Sequence, residues 1–224
     1  MHDSYFITGT DTEVGKTYVT AALLQALIAS GHQAVGYKPV AAGADLAPDY
    51  QLNSDAVTLQ RASAIELPYS AINPVLLETP CSPHWAAALA NTPIDTQVLS
   101  QGLTHLKKQA SPVLVEGAGG WQVPLSETET LADWVVVHQL PVIMVVGIKL
   151  GCLNHALLTA EAIRARGLTL AGWVANAVDP KVQHSDEMVR YLAAHLDAPC
   201  LGELPFDYRA SPAQRAKHLN IRSL

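Results

Sequence analysis

Tyr5-Phe6-Ile7-Thr8-Gly9-Thr10-Asp11-Thr12-Glu13-Val14-Gly15-Lys16-Thr17 is the stretch on which the reading of this 224-residue chain turns. Tyr5 to Thr8 is a short apolar run that reads as a buried strand, and Gly9 ends it. Gly15-Lys16-Thr17 opens an Ala- and Leu-rich segment, Tyr18 to Ser30, that reads as a helix. Strand, glycine loop and helix together make a phosphate-binding loop. The first turn of a helix carries N–H groups without intrahelical partners, and its dipole adds positive potential there. Lys16 supplies a point charge for the terminal phosphates, and the Thr17 hydroxyl can ligate Mg²⁺. Five residues separate Gly9 from Gly15, one more than the usual four. The position after an N-terminal strand and before a helix is nevertheless what the motif demands.

Working outward, Ala34 to Tyr37 reads as a second strand ending in Lys38-Pro39. Val40 to Asn53 is polar and rich in Gly, Pro and Asp, a loop of a length that is usually functional. Ser54-Asp55 starts a helix to about Ala62, and Ile72 to Leu77 is a weaker strand. Ser82-Pro83 opens a helix to about Ala90, and Asp95 caps one to about Gln109. Pro112 to Val115 is a buried strand ending in Glu116 and a Gly-rich turn, Gly117 to Gly120. Then come a helix from Leu131 to Gln139, a strand from Val142 to Val146 and a helix from Asn154 to Arg166. Leu170 to Asn176 is a strand, His184 to His195 a helix, and Cys200 to Leu204 a last strand. This alternation predicts an α/β, P-loop NTPase-like fold with one mostly parallel sheet and helices on both faces. A hydrophobic share of 49% with only 15% charged residues suits strands buried on both sides, and residues 1–224 read as a single domain. Ligands in such sheets bind beyond the carboxyl ends of the strands. Gly9–Thr17, Lys38, Glu116–Gly120, Lys149–Asn154 and Asn176 therefore converge on one rim.

Mg²⁺ takes oxygen ligands, usually one or two carboxylates with phosphates and water. Thr17 offers one oxygen. Glu116, ending an apolar strand, is the acid expected opposite a phosphate loop. Asp55 reads either as a first-turn acid or as a ligand of the same ion. Lys38 reads either as a surface Lys or as a cation for charge developing on a carboxylated or phosphorylated intermediate. Lys149 either acts in catalysis or braces its loop. Asn176 either sits in a turn or presents its amide to a purine edge. The nine histidines show no ligand spacing.

Gly9–Thr17, Gly36–Val40, Asn53-Ser54-Asp55, Ser82-Pro83-His84, Val115–Gly120, Lys149–His155 and Gly172–Asn176 together resemble the dethiobiotin synthetase family, in order and over essentially the whole chain. The five-residue loop spacing is that family's own form. The resemblance implies a cyclo-ligase of biotin biosynthesis acting on 7,8-diaminononanoate, CO₂ and MgATP. One amine becomes a carbamate, the carbamate takes the γ-phosphoryl group, and the second amine closes the ureido ring. The roles implied are catalysis for Lys38, Lys16 and Thr12, and Mg²⁺ ligation for Thr17, Asp55 and Glu116. Nucleotide contacts are implied for Glu13, Val14, Gly15, Lys16, Thr17, Tyr18, Asp55, Glu116, Gly117, Ala118, Gly119, Asn176, Ala177, Pro205 and Phe206. Substrate contacts are implied for Thr12, Lys38, Ala42, Leu150, Gly151, Cys152 and Asn154, in a homodimer with the substrate at the subunit interface. Ala42 departs from the family pattern, which usually has a hydroxyl residue there.

A net charge of −6 without a Lys/Arg cluster argues against a nucleic-acid partner. No run is apolar and long enough for a membrane span, and Met1-His2-Asp3-Ser4 does not read as a signal peptide. Cys81, Cys152 and Cys200 match neither a disulfide framework nor a zinc spacing. A cytoplasmic location is expected. Two rival readings exist. A related amide-forming synthetase would need a glutamine-hydrolysing domain that the length leaves no room for. A partitioning-type switch ATPase would carry a further Lys where this chain has Thr10 and Asp11.

Overall fold

The computed structural model describes residues 1–47 and 50–224. Its centre is β1 (Ser4–Gly9), buried along its whole length. On one side lie β7 (Val113–Glu116) and β2 (Val35–Tyr37), and on the other β8 (Val142–Ile148), β9 (Leu170–Ala177) and β10 (Cys200–Leu204). The sheet order is β10-β9-β8-β1-β7-β2, and every pairing in it is parallel. Such strands lose both faces to helices, which explains why β1 and β8 are almost unbroken apolar runs. Because β7 and β8 flank β1 from opposite sides, the chain reverses its direction across the sheet there. The crevice outside the carboxyl ends of those strands is where an open α/β sheet binds its ligand.

The helices follow the expected order with small shifts at their ends. α1 (Lys16–Ala29) begins two residues before Tyr18, so Lys16 and Thr17 lie inside the first turn. α2 (Ser54–Ala62) is capped by Asn53, whose side chain accepts the Ala56 N–H at 3.2 Å. Between β2 and β7 the chain leaves the main sheet. The stretch from Val40 to Asn53, expected as loop, instead holds β3 (Val40–Ala42), β4 (Asp45–Ala47) and β5 (Tyr50–Leu52). Pro48 and Asp49 of that expectation lie outside the described residues. The strand expected over Ile72–Leu77 divides into α3 (Tyr69–Ile72) and β6 (Val75–Leu77). β6 pairs in parallel with β3, and β4 pairs with β5. Three-residue strands give too little alternation to be seen in a sequence, and their partners lie outside the main sheet. α4 (Pro83–Leu89), α5 (Thr96–Lys107) and α6 (Leu131–Val137) follow, the last closed by a Thr130–Asp133 capping box. α7 (Cys152–Ala165) starts two residues before Asn154, α8 (Ser185–His195) is as expected, and a ninth helix, α9 (Pro212–Ala216), lies in the C-terminal segment.

Candidate functional site

The phosphate loop takes its shape from its glycines. Thr10 N–H donates to the Val145 carbonyl at 3.0 Å, which ties the loop's start to β8. The Asp11 carboxylate accepts the Thr12 N–H at 2.8 Å. Gly15 has φ of 87°, in the left-handed region, and a Cβ there would stand 2.2 Å from the Asn176 amide nitrogen. Only glycine meets both demands. That amide donates to the Val14 carbonyl at 2.9 Å, so the end of β9 holds the loop from outside.

Below the loop, two strand ends and the first turns of two helices deliver one charge cluster. Glu116 closes β7 and is fully buried. Its Oε1 accepts from the Thr17 hydroxyl at 2.7 Å and from Lys38 Nζ at 2.7 Å. Lys38, buried beyond the end of β2, also donates to Asp55 Oδ2 at 3.0 Å and to the Gly117 carbonyl at 3.2 Å. Burial works against the Lys38 ammonium, but Glu116 and Asp55 outweigh it and hold its pKa above the ordinary lysine value. For Asp55 burial is likewise outweighed, here by Lys38, and its carboxyl stays below the usual range. Lys16 behaves differently. Burial, and then the like charge of Lys38, lower its pKa to about 8. A cation destabilised in this way is relieved by an anion, which is the state wanted at a phosphate site.

The cluster opens into a cleft of about 920 Å³. Of the expected residues, Thr12, Glu13, Gly15, Lys16, Thr17, Tyr18, Lys38, Ala42, Asp55, Ala118 and Gly119 line it. Val14 is buried behind the loop. A second cavity of about 230 Å³ adjoins the loop's outer side, lined by Glu13, Gly15, Tyr18, Asn176, Ala177, Pro205 and Phe206. Its mainly apolar walls suit a base, and the Asn176 Oδ1 is a buried acceptor without a partner among the described residues.

Metal ligation can be tested on the same atoms. Glu116 Oε2 is buried and has no hydrogen-bond partner. With the Thr17 hydroxyl and the partly exposed Asp55 carboxylate it forms an oxygen-only donor set. Among the described residues no group of three or more His, Cys, Asp or Glu side chains is placed to hold an ion. Few carboxylates beside a phosphate cleft fit Mg²⁺, which keeps water and phosphate ligands.

The expected substrate loop stands apart. Leu150, Gly151, Cys152 and Asn154 line neither cavity. Leu150 is 91% exposed and Asn154 is exposed. Cys152 faces the core, with its sulfur 3.8 Å from that of Met188. Lys149 reaches Asp11 at 3.7 Å, so in this chain it touches the phosphate loop rather than the cleft. Reading by motif also left residues without a role. Pro80, Cys81 and Ser82 form one side of the cleft, and Gln122, Val123 and Pro124 another. The Ser82-Pro83-His84 motif was the available signal, since the Ser82 hydroxyl meets His84 Nδ1 at 2.9 Å.

A family model described as an AAA domain matches residues 3–214. The ATP-dependent dethiobiotin synthetase of Vibrio campbellii is 52% identical over 224 residues, 100% of this chain and 99% of that protein. The Escherichia coli K12 protein of the same name is 51% identical over 225 residues, with both chains covered in full. The Salmonella typhi one is 54% identical over 216 residues, 96% of this chain and 94% of the other. Among solved structures, a ParA family ATPase from Chlorobium tepidum superposes with a TM-score of 0.56 at 15% identity, covering 96% of this chain and 95% of that one. The MinD protein of Pyrococcus horikoshii, complexed with Mg-ADP, gives 0.55 at 16% identity, covering 96% and 92%. At such identities the structural likeness is one of fold alone.

Proposed function

This chain belongs to the ATP-dependent dethiobiotin synthetase family, and from that premise we propose the part each residue of the cleft takes in the family's reaction. The protein is an ATP-dependent cyclo-ligase. It joins CO₂ to 7,8-diaminononanoate through a carbamate, which takes the γ-phosphoryl group, and closes the ureido ring with release of ADP and phosphate. Phosphoryl transfer of this kind needs positioning and charge neutralisation more than covalent catalysis by the protein.

Lys16 and the first-turn N–H groups of α1 hold the terminal phosphates. Thr17, Asp55 and Glu116 would hold Mg²⁺, which when bound supplies positive charge against the phosphate oxygens. Lys38 neutralises charge on the carbamate and on the transferring phosphoryl group, with Thr12 lining the same cleft. Asn176, with its N–H committed to Val14, offers its free acceptor to an amino group on the base. Ala177, Pro205 and Phe206 enclose that base.

The observation that carries this reading is the position of Lys38 Nζ, within hydrogen-bond reach of both Asp55 and Glu116. A buried cation held by two carboxylates, one of which also takes the phosphate-loop threonine, is a site organised for anion and metal together. The finer proposals follow. The protein acts as a homodimer in the cytoplasm, and a second copy meets the Lys149–Asn154 rim, where the substrate carboxylate binds. The exposure of Leu150 and the three free cysteines support this. The test supplies MgATP, labelled bicarbonate and 7,8-diaminononanoate. Label should enter an acid-stable product in step with ADP formation, both dependent on the diamine. ATP hydrolysis without carbon fixation would sink the assignment and leave only the phosphate loop.

A further inference from the structure

The C-terminal segment reaches back to the nucleotide cleft. A capping box joins Ser211 to Gln214 at the start of α9, with Pro212 in the first turn. Beyond the helix, Asn220 N–H donates to the Leu201 carbonyl at 2.7 Å, and Gly202 bridges to Leu219. Both contacts follow α9 and stitch the segment to β10. It delivers Arg215, a residue only 7% exposed. Its Cζ lies 3.6 Å from the centroid of the Tyr18 ring, and its Nη1 donates to the Tyr18 carbonyl at 2.9 Å. Nε has no partner, and Arg215 forms no ion pair with a described carboxylate.

Tyr18 follows Thr17 in the first turn of α1 and lines both the phosphate cleft and the base cavity. Its hydroxyl donates to the Asp207 carbonyl at 2.6 Å, and Phe206, Asp207 and Tyr208 form the far wall of the base cavity. Burying a guanidinium without a carboxylate is costly, and an apolar side chain would fill the same space at less cost. Cation–π attraction and one carbonyl offset part of that cost. Both of those contacts fall on Tyr18.

We propose that Arg215 is a positioning residue of the nucleotide site, clamping Tyr18 and, through the Tyr18 hydroxyl, the Pro205–Tyr208 wall of the base cavity. The proposal rests on the nucleotide assignment above. It places the effect of Arg215 on the nucleoside half of the ligand, because the phosphates are held by Lys16 and the loop. Arg215→Met should therefore weaken MgADP binding, measured by calorimetry, by about tenfold. Magnesium tripolyphosphate, which has no base, should bind within about twofold of the unaltered protein. In turnover, KM for ATP should rise in proportion while kcat and KM for the diamine hold. Arg215→Lys, which keeps the charge and loses the planar stack, should fall between the two, and it gives the same comparison if Arg215→Met does not fold. Adding Arg215→Met to Tyr18→Leu should bring little further loss, since both act on one contact. Equal loss of both ligands in Arg215→Met would make Arg215 a general fold residue and overturn the clamp, as would undiminished MgADP binding. If the unaltered protein bound neither ligand, the nucleotide assignment itself would fall first.

Discussion

The loops after β7 and β8 leave the same edge of one sheet, on either side of β1, and end in opposite states. At the end of β7, Glu116 is fully buried and engaged with Thr17 and Lys38. At the end of β8, Leu150 is 91% exposed, and Lys149 has only an exposed carboxylate 3.7 Å away. An exposed pair at that distance contributes little. The two ends differ in what completes them. The phosphate side is finished by side chains of this chain alone, with Glu116 at the end of β7 and Asp55 in the first turn of α2 both paired to Lys38 beyond β2. The β8 rim presents apolar surface with no cover from its own chain, and burying a leucine of that kind is worth roughly 1.5–3 kcal/mol. One half of the site is complete in a single chain, and the proposed dimer would complete the other.

The comparison breaks most sharply at the two buried lysines of the finished half. Lys16→Ala should abolish ATP-dependent turnover and leave folding stability equal or higher. Burial already disfavours the charged form of Lys16, whose pKa falls to about 8, so its removal relieves the folded state. Thermal unfolding and a turnover assay check both halves of that statement, and retained turnover would undo the phosphate-loop assignment. Lys38→Met should cost turnover about 10²-fold or more. It should also destabilise the fold by roughly 3–5 kcal/mol, because it strands a buried carboxylate. The sign follows from the raised Lys38 pKa, since a cation favoured by folding takes stability away when it is deleted. A stable Lys38→Met protein with normal turnover would show that the three-way ion cluster organises nothing.

The unfinished half makes the opposite prediction. Leu150→Glu should leave the unfolding of the isolated chain within about 0.5 kcal/mol, as expected for an exposed position. Turnover should fall with the population of dimers, followed by sedimentation across a dilution series. A dimer that survives Leu150→Glu with full activity would remove the β8 rim from the interface.

What could be read from the sequence follows the same division. Lys16, Thr17, Lys38 and Glu116 were legible because each sits at the end of a strand or the start of a helix, where one local pattern fixes the position. Asn176 was legible by the same rule, though its grip on Val14 was not. The strands β3 to β5 were hidden by their brevity and by partners far away in sequence, since β3 pairs with β6 more than thirty residues on. Arg215 was hidden for a related reason. Nothing around it repeats or alternates, and its contact with Tyr18 spans nearly the whole chain. Lys149 illustrates the limit. Motif position placed it on the correct rim, but only coordinates show that it faces Asp11 and not the cleft.

The smallest expected effect lies in the finished half, at Ala42, where the family resemblance implies a hydroxyl residue. Ala42 ends β3, pairs with Leu77 of β6 and lines the same cleft as Lys16 and Lys38 without a side-chain donor. The neighbouring Gly43 has φ of 94° and donates its N–H to the Leu77 carbonyl, so the backbone here is already fixed. A serine hydroxyl at position 42 would add one hydrogen bond to the carbamate without altering that backbone. A hydroxyl bond to the charged carbamate is worth roughly 1.5–3 kcal/mol. Ala42→Ser should therefore lower KM for the diamine by about tenfold. KM for ATP and thermal unfolding should stay where they are. A gain in ATP affinity instead would mean that position 42 faces the nucleotide. No change at all would mean that backbone N–H groups already saturate the carbamate, and that the missing hydroxyl costs this chain nothing.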